Sequence, residues 1–123
     1  MPTRIQRRRS RGWRMPEGAR YVGRRTRFGN PFRVVDRGTE GFAVLDDRGG
    51  VIATRASSVD ARRIACVWFR AWLAAPGQAE LRALVGQLLY GRDLACWCPL
   101  PEPGEPDHCH GAVLLRLANG EAS

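Results

Sequence analysis

Three of the four cysteines and both histidines of the 123-residue chain lie between Asp93 and Gly111. They are Cys96 and Cys98 around Trp97, and the run His108-Cys109-His110. If Leu94 to Cys98 is extended, side chains alternate, so Cys96 and Cys98 share a face and Trp97 takes the other. The intervening loop holds Pro99, Pro101, Pro103, Gly104 and Pro106, and it can fold back across the strand end. Cys96, Cys98, Cys109 and His110 would then make a Cys3His set for zinc, with His108 as a substitute for His110. A metal-free site uses the same residues differently. A helix starting near His110 would aim its free amides at the loop, making Cys109 a reactive thiolate or His110 a general acid or base. A third reading leaves Cys96 and Cys98 as small apolar residues of a buried strand.

The elements that position this cluster read as one small domain. The length suits one core. No apolar run reaches the roughly 18 residues of a membrane span, and no apolar leader precedes the first turns, so a cytoplasmic protein with reduced thiols is expected. Cys66 sits alone in an apolar segment and reads as core.

All 20 basic residues are arginine. Twelve fall within residues 1–37 against only Glu17 and Asp36, whereas the remainder carries eight arginines and ten acids. Residues 1–15 read as a basic arm able to bind phosphate through counterion release, or alternatively as a solvated tail. Residues 16–123 read as a single α/β domain. Arg20 to Arg24 forms a short strand that runs into Arg25-Thr26-Arg27-Phe28-Gly29-Asn30-Pro31-Phe32, where turn residues, aromatics and guanidinium groups mix. Arg24, Arg25 and Arg27 are candidate phosphate ligands. Asn30 either orients a base or ribose or caps the turn.

Phe42 to Asp46 and Val51 to Thr54 flank a Gly-rich turn and predict a β-hairpin. Ser57 caps a helix that runs to Ala75, with Ala61, Ile64, Ala65, Trp68 and Trp72 as its buried stripe. Gln78 to Tyr90 is a second helix on Leu81, Leu84, Val85 and Leu88, and Gly111 to Asn119 a third. The expected fold class is therefore α/β or α+β, with a mixed sheet and about three helices.

The turn Gly29-Asn30-Pro31-Phe32, the Cys96-Trp97-Cys98 motif and the Cys109-His110 pair followed by an apolar helix are together similar to an uncharacterised bacterial and phage family, domain of unknown function 4326. The resemblance extends over roughly Arg20 to Asn119. Two departures stand out: the loop from Cys98 to Cys109 is long, and Ala112 occupies a position associated with Asp in the family. An acid needed there would have to come from Asp107 or Asp93. By analogy the strand, Cys-His loop and helix suggest nucleotide-related chemistry.

The expectation that follows is a protein acting on nucleic acid or a nucleotide, with the Gly29 to Phe32 turn and the Cys/His loop as two walls of one pocket. An enzyme of this kind would cleave or exchange a nucleobase, an N-glycosidic hydrolase or transferase using Asn30, Asp107 and His110. The alternatives are a non-catalytic zinc-stabilised nucleic-acid-binding module and a thiol-dependent redox or sulfur-transfer protein.

Overall fold

The apolar triplet Leu-Ala-Cys after the Gly91 turn forms a strand with every residue buried, Leu94–Cys96. A strand buried on both faces needs neighbours on both edges. In the computed structural model, which describes residues 2–120, these neighbours are Arg4–Gln6 (β1) and Arg20–Tyr21 (β2), each parallel to Leu94–Cys96 (β6). The register sets Arg4 and Arg20 beside Leu94, and Gln6 beside Cys96. Residues 4–6, within the stretch read as a basic arm, thus supply an edge strand of the sheet that carries the cysteines.

The remaining strands, Arg33–Asp36 (β3), Phe42–Leu45 (β4) and Val51–Arg55 (β5), make a separate antiparallel sheet in the order β3-β4-β5. The hairpin of β4 and β5 is the one expected. The α/β class holds, with the strands divided between one parallel and one antiparallel sheet. Gly41 enters β4 with φ 83°, and a Cβ there would stand 2.5 Å from the Arg55 carbonyl oxygen, so only glycine fits this turn.

One helix joins the two sheets. Ser58–Ala74 (α1) starts on Ser57, whose hydroxyl accepts a hydrogen bond from the Asp60 amide at 3.1 Å. Its buried residues are Ala61, Ala65, Cys66, Phe69 and Leu73. Ala61 and Ala65 pack with Val44 in the antiparallel layer, while Cys66, Phe69 and Leu73 belong to the main core with Val22, Phe28, Leu94 and Leu114. The expected stripe was displaced by part of a turn. Ala61 and Ala65 are buried as read, but Trp68 is exposed and Trp72 only half-buried, because Phe69 and Leu73 continue the i, i+4 row begun by the two alanines. Trp68 lies against Phe32, with ring centroids 5.7 Å apart.

Ala79–Leu88 (α2) buries Val85, and Leu89 just beyond it is fully enclosed; Leu81 and Leu84 pack at its margin, and Leu88 faces outward. His110–Ala118 (α3) is apolar over most of its surface and closes the core. The three helices match the expected number.

The displaced stripe has a measurable consequence. Phe69→Ala should cost about 3–5 kcal/mol through transfer and cavity terms, whereas Trp68→Ala should cost about 1–2 kcal/mol, because nearly half of the residue is exposed and it gives up its packing on Phe32. Urea unfolding of the two variants checks the ranking, and equal losses would place the helix face wrongly.

Candidate metal centre and arginine-lined cleft

The carboxyl end of β6, the turn after it and the start of α3 bring the sulfur atoms of Cys96, Cys98 and Cys109 within 4.8 Å of one another. The strand ends at Cys96 and the chain bends at Trp97 and Cys98, so a bend and not the expected extended run to Cys98 brings Cys96 Sγ and Cys98 Sγ to 3.7 Å, while Trp97 is left partly exposed. Cys109 takes the N-cap position of α3, and its sulfur accepts the Gly111 amide hydrogen at 3.4 Å. A Cβ on Gly111 would sit 3.2 Å from Arg4 Cδ and 3.5 Å from Cys109 Sγ, so a side chain here would crowd the cluster.

His110 lies beside the three cysteines, against Cys109. Its Nε2 lies 2.7 Å from the Val22 carbonyl oxygen, which can only accept, so Nε2 carries a proton and Nδ1 turns toward the cysteines. That Nδ1 is 3.8 Å from Cys109 Sγ. A ring nitrogen free toward the site, with the opposite N–H fixed on a backbone carbonyl, is the usual outer-shell arrangement of a metal-ligating histidine. The spacing fits as well, since tetrahedral zinc with bonds of about 2.3 Å to sulfur separates its thiolates by about 3.8 Å. The ring edge also packs on Phe69, at 5.3 Å between centroids.

The three thiols share their protons unequally. Hydrogen bonds from Cys109 and then Cys98 hold the Cys96 thiol far below its ordinary range, aided by His110. Cys109 is pushed far above its range by its bonds to Cys96 and Cys98 and by burial. For Cys98 the bond from Cys109 favours the thiolate, but Cys96 and burial outweigh it and push the group up to about 11. One buried thiolate gathered by two thiols is a ready seat for a cation. Cys66 stands outside the cluster as a core thiol, raised by burial, with its sulfur 3.7 Å from the Cys109 carbonyl oxygen.

Arg4 locks this arrangement. Its guanidinium donates from Nη1 to the Cys98 carbonyl at 3.0 Å, from Nη2 to the Pro99 carbonyl at 2.7 Å, and from Nε to the Asp107 carboxylate. Burial opposes its charge most strongly, but the bond to Asp107 together with the charges of Cys109, Asp107 and Cys98 outweighs that penalty and raises its pKa. A planar fork with several fixed donors is what arginine offers and lysine lacks. Arg4 therefore serves the fold, although the sequence places it in a solvent-facing basic run. Asp107 answers Arg4 on the side away from the cleft described below, and Asp93 accepts the Thr3 amide at 2.8 Å.

In front of the cysteines lies a cleft of about 830 Å³. Arg7, Arg9, Arg24, Arg25, Arg33 and Arg62 line it, with no Asp or Glu among the lining residues. Among the described residues the ion pairs are Arg4 with Asp107 and Arg63 with Asp60, so none of the six is neutralised by a carboxylate. Arg25 adopts φ 69°, a left-handed conformation uncommon for a side chain of its size. The expected two walls do meet here: Asn30 and Phe32 come from one side, and Cys96, Cys98, His108 and His110 from the other. Arg24 and Arg25 reach the cleft as expected, whereas Arg27 is exposed outside it.

Asn30 spends its amide on the loop. Its Oδ1 accepts the Phe32 amide hydrogen at 2.9 Å, and its Nδ2 donates to the Ala65 carbonyl at 3.3 Å, tying the turn to α1. Gly29 allows that turn, because a Cβ would lie 2.9 Å from the Gly23 carbonyl oxygen. The cap reading of Asn30 thus describes its bonds, while its position still lines the cleft.

Arg7, Arg9 and Arg62 were not singled out as ligands from the sequence. Arg62 shows only as a residue off the buried stripe of its helix. Arg7 and Arg9 show only as members of a run, and what distinguishes them is stacking: Arg7 lies 4.7 Å from the Tyr21 ring and 5.1 Å from that of Trp97, and Arg9 lies 4.8 Å from Trp97. These are cation–π distances.

The architecture defines a small α/β domain with a cysteine-histidine cluster beside an arginine-lined cleft. The chain belongs to the family described as Domain of unknown function (DUF4326), which it matches over residues 5–120. Comparison with curated proteins and with solved structures gave no match.

Arg4→Met should lower stability by about 3 kcal/mol, since it strips two backbone carbonyls and a largely buried carboxylate of their partner. In a domain of this size the melting temperature should fall by about 10 °C. Calorimetry checks this. A loss below about 1 kcal/mol would mean that the guanidinium is not the lock described.

Proposed function

We propose that the protein binds nucleic acid or a nucleotide in the arginine-lined cleft, and that zinc held by Cys96, Cys98, Cys109 and His110 fixes the wall of that cleft. The observation that carries the reading is six unneutralised guanidinium groups converging on one concavity without a carboxylate. Forked donors of this kind suit phosphate oxygens, and like charges gathered this closely favour a multiply charged anion.

The side chains considered for nucleobase cleavage support a binding role better than a catalytic one. Asp107 is engaged by Arg4 and lies outside the cleft, His110 turns its free nitrogen to the cysteines, and the Asn30 amide holds the loop. Thiol exchange is also less well supported, because Cys96, Cys98 and Cys109 gather as one group with His110 against Cys109, a donor set that suits structural zinc. A reducing cytoplasm is the compartment that would keep such thiolates available. Among the described residues no helix is long and apolar enough to cross a membrane.

Metal analysis of the native protein should return one equivalent of zinc, and a strong chelator should lower the melting temperature. His110→Ala should weaken zinc retention by at least tenfold in a chelator competition, as loss of a ligand and its carbonyl anchor together. Absence of metal with one fast-reacting thiol would remove the zinc part of the reading. For the cleft, Arg24→Ala and Arg62→Ala should each weaken binding of a labelled oligonucleotide severalfold, while Glu80→Gln, exposed on α2 and outside the cleft, should leave it within about threefold. Fluorescence anisotropy measures both, and a larger loss from Glu80→Gln than from the arginine variants would reverse the assignment.

A further inference from the structure

We propose that the ligand of the cleft is a single strand of nucleic acid, a few nucleotides of it seated at a time and the rest led out along residues 7–14; this rests on the phosphate-binding reading above. Three observations favour a single strand over a duplex or a lone nucleotide.

The first is shape. A concavity of about 830 Å³ exceeds what one nucleotide fills, yet a stiff duplex with its bases turned inward has no means of entering it. The second is the kind of surface at its mouth. Tyr21, Trp97, Arg7 and Arg9 form a cluster of flat groups in mutual cation–π contact, and Trp97 is 37% exposed. Flat aromatic and guanidinium faces reward unstacked bases, which only a single strand presents, and they do so for any base. The third is continuity of charge. Arg7 and Arg9 line the cleft, and Arg8, Arg11 and Arg14 extend the same segment as exposed residues beyond it. A lone nucleotide would use none of these.

The parts divide the work. Arg24, Arg25, Arg33 and Arg62 would take backbone phosphates within the cleft, and the Tyr21 and Trp97 cluster would carry bases at its edge. Because Trp97 stands between Cys96 and Cys98, the metal centre fixes the orientation of the indole. None of these contacts reads a base edge, so the binding should tolerate most sequences.

The test uses the zinc-loaded protein and fluorescein-labelled ten-nucleotide oligothymidylate. A ten-base-pair hairpin duplex and ATP serve as competitors. We expect the single strand to bind at least tenfold tighter than the duplex. The slope of log affinity against log salt should be about −3.5, as about five phosphates at about 0.7 each, four within the cleft and one at Arg9, would give. Arg9→Ala should make the slope shallower by about 0.7. Trp97→Ala should weaken binding about tenfold across oligothymidylate and oligoadenylate alike; because that change sits inside the cysteine motif, the exposed Arg9→Ala decides if its zinc content or melting temperature falls. Duplex binding as tight as the single strand, or displacement by ATP at concentrations comparable to the oligonucleotide, would overturn the single-strand assignment while leaving the phosphate-binding reading in place. No binding of any of the three would overturn both.

Discussion

The structure depends on one buried cation. Arg4 is 8% exposed, and its donors engage the carbonyls of Cys98 and Pro99 and the carboxylate of Asp107. Through these bonds the first strand, the turn after the sixth and the loop before the last helix become one unit. A guanidinium placed there must be desolvated, a cost of several kcal/mol that only a full set of partners offsets. The set is long-range, linking residues about ninety positions apart in sequence, so the pocket wall exists only after the chain ends have met. Proline fits the intervening loop for the same reason. A stiff connection loses less entropy when its two ends are pinned.

The cleft runs on the opposite principle. Where Arg4 is satisfied, the six arginines around the concavity face one another without counter-charges. Their mutual repulsion is screened in water at a distance of about 8–10 Å but not at the closest approaches. Stacking on Tyr21 and Trp97 holds two of them in place regardless. Arg25 adds a left-handed backbone, which the protein tolerates beside this cleft and nowhere else among the non-glycine residues described. On the phosphate-binding proposal, unrelieved charge and local strain at the same concavity would be relieved together by an anion.

Much of this was legible in the sequence. The hairpin, the Ser57 cap and the last helix follow from short-range rules, and short-range rules are what a sequence displays. Asn30 was readable as a cap because an Asx turn is closed by residues two positions apart. What escaped depends on partners far along the chain. Arg4 could not be told from Arg7 or Arg9, since the three differ only in what the fold brings to them. The edge strand Arg4–Gln6 has one apolar residue among three and acquires its conformation from Leu94–Cys96. Trp68 and Phe69 are adjacent in sequence and differ by a hundred degrees around the helix, so a small error in the buried face exchanged a core ring for a solvated one.

Charge also bears on the proposed metal site. Cys96, Cys98 and Cys109 compete for protons across their sulfur contacts, with Cys96 pushed down and Cys98 and Cys109 pushed up. On the proposal that zinc binds there, the cation would displace thiol protons, so loading would become more favourable as pH rises. It would also replace hydrogen bonds between sulfurs, which rotate, with directed bonds that hold the turn around Trp97. The attraction of the cleft for an anion and the rigidity of its wall would then be separate quantities. Salt would weaken the first through the arginines, and chelation would weaken the second through the cysteines.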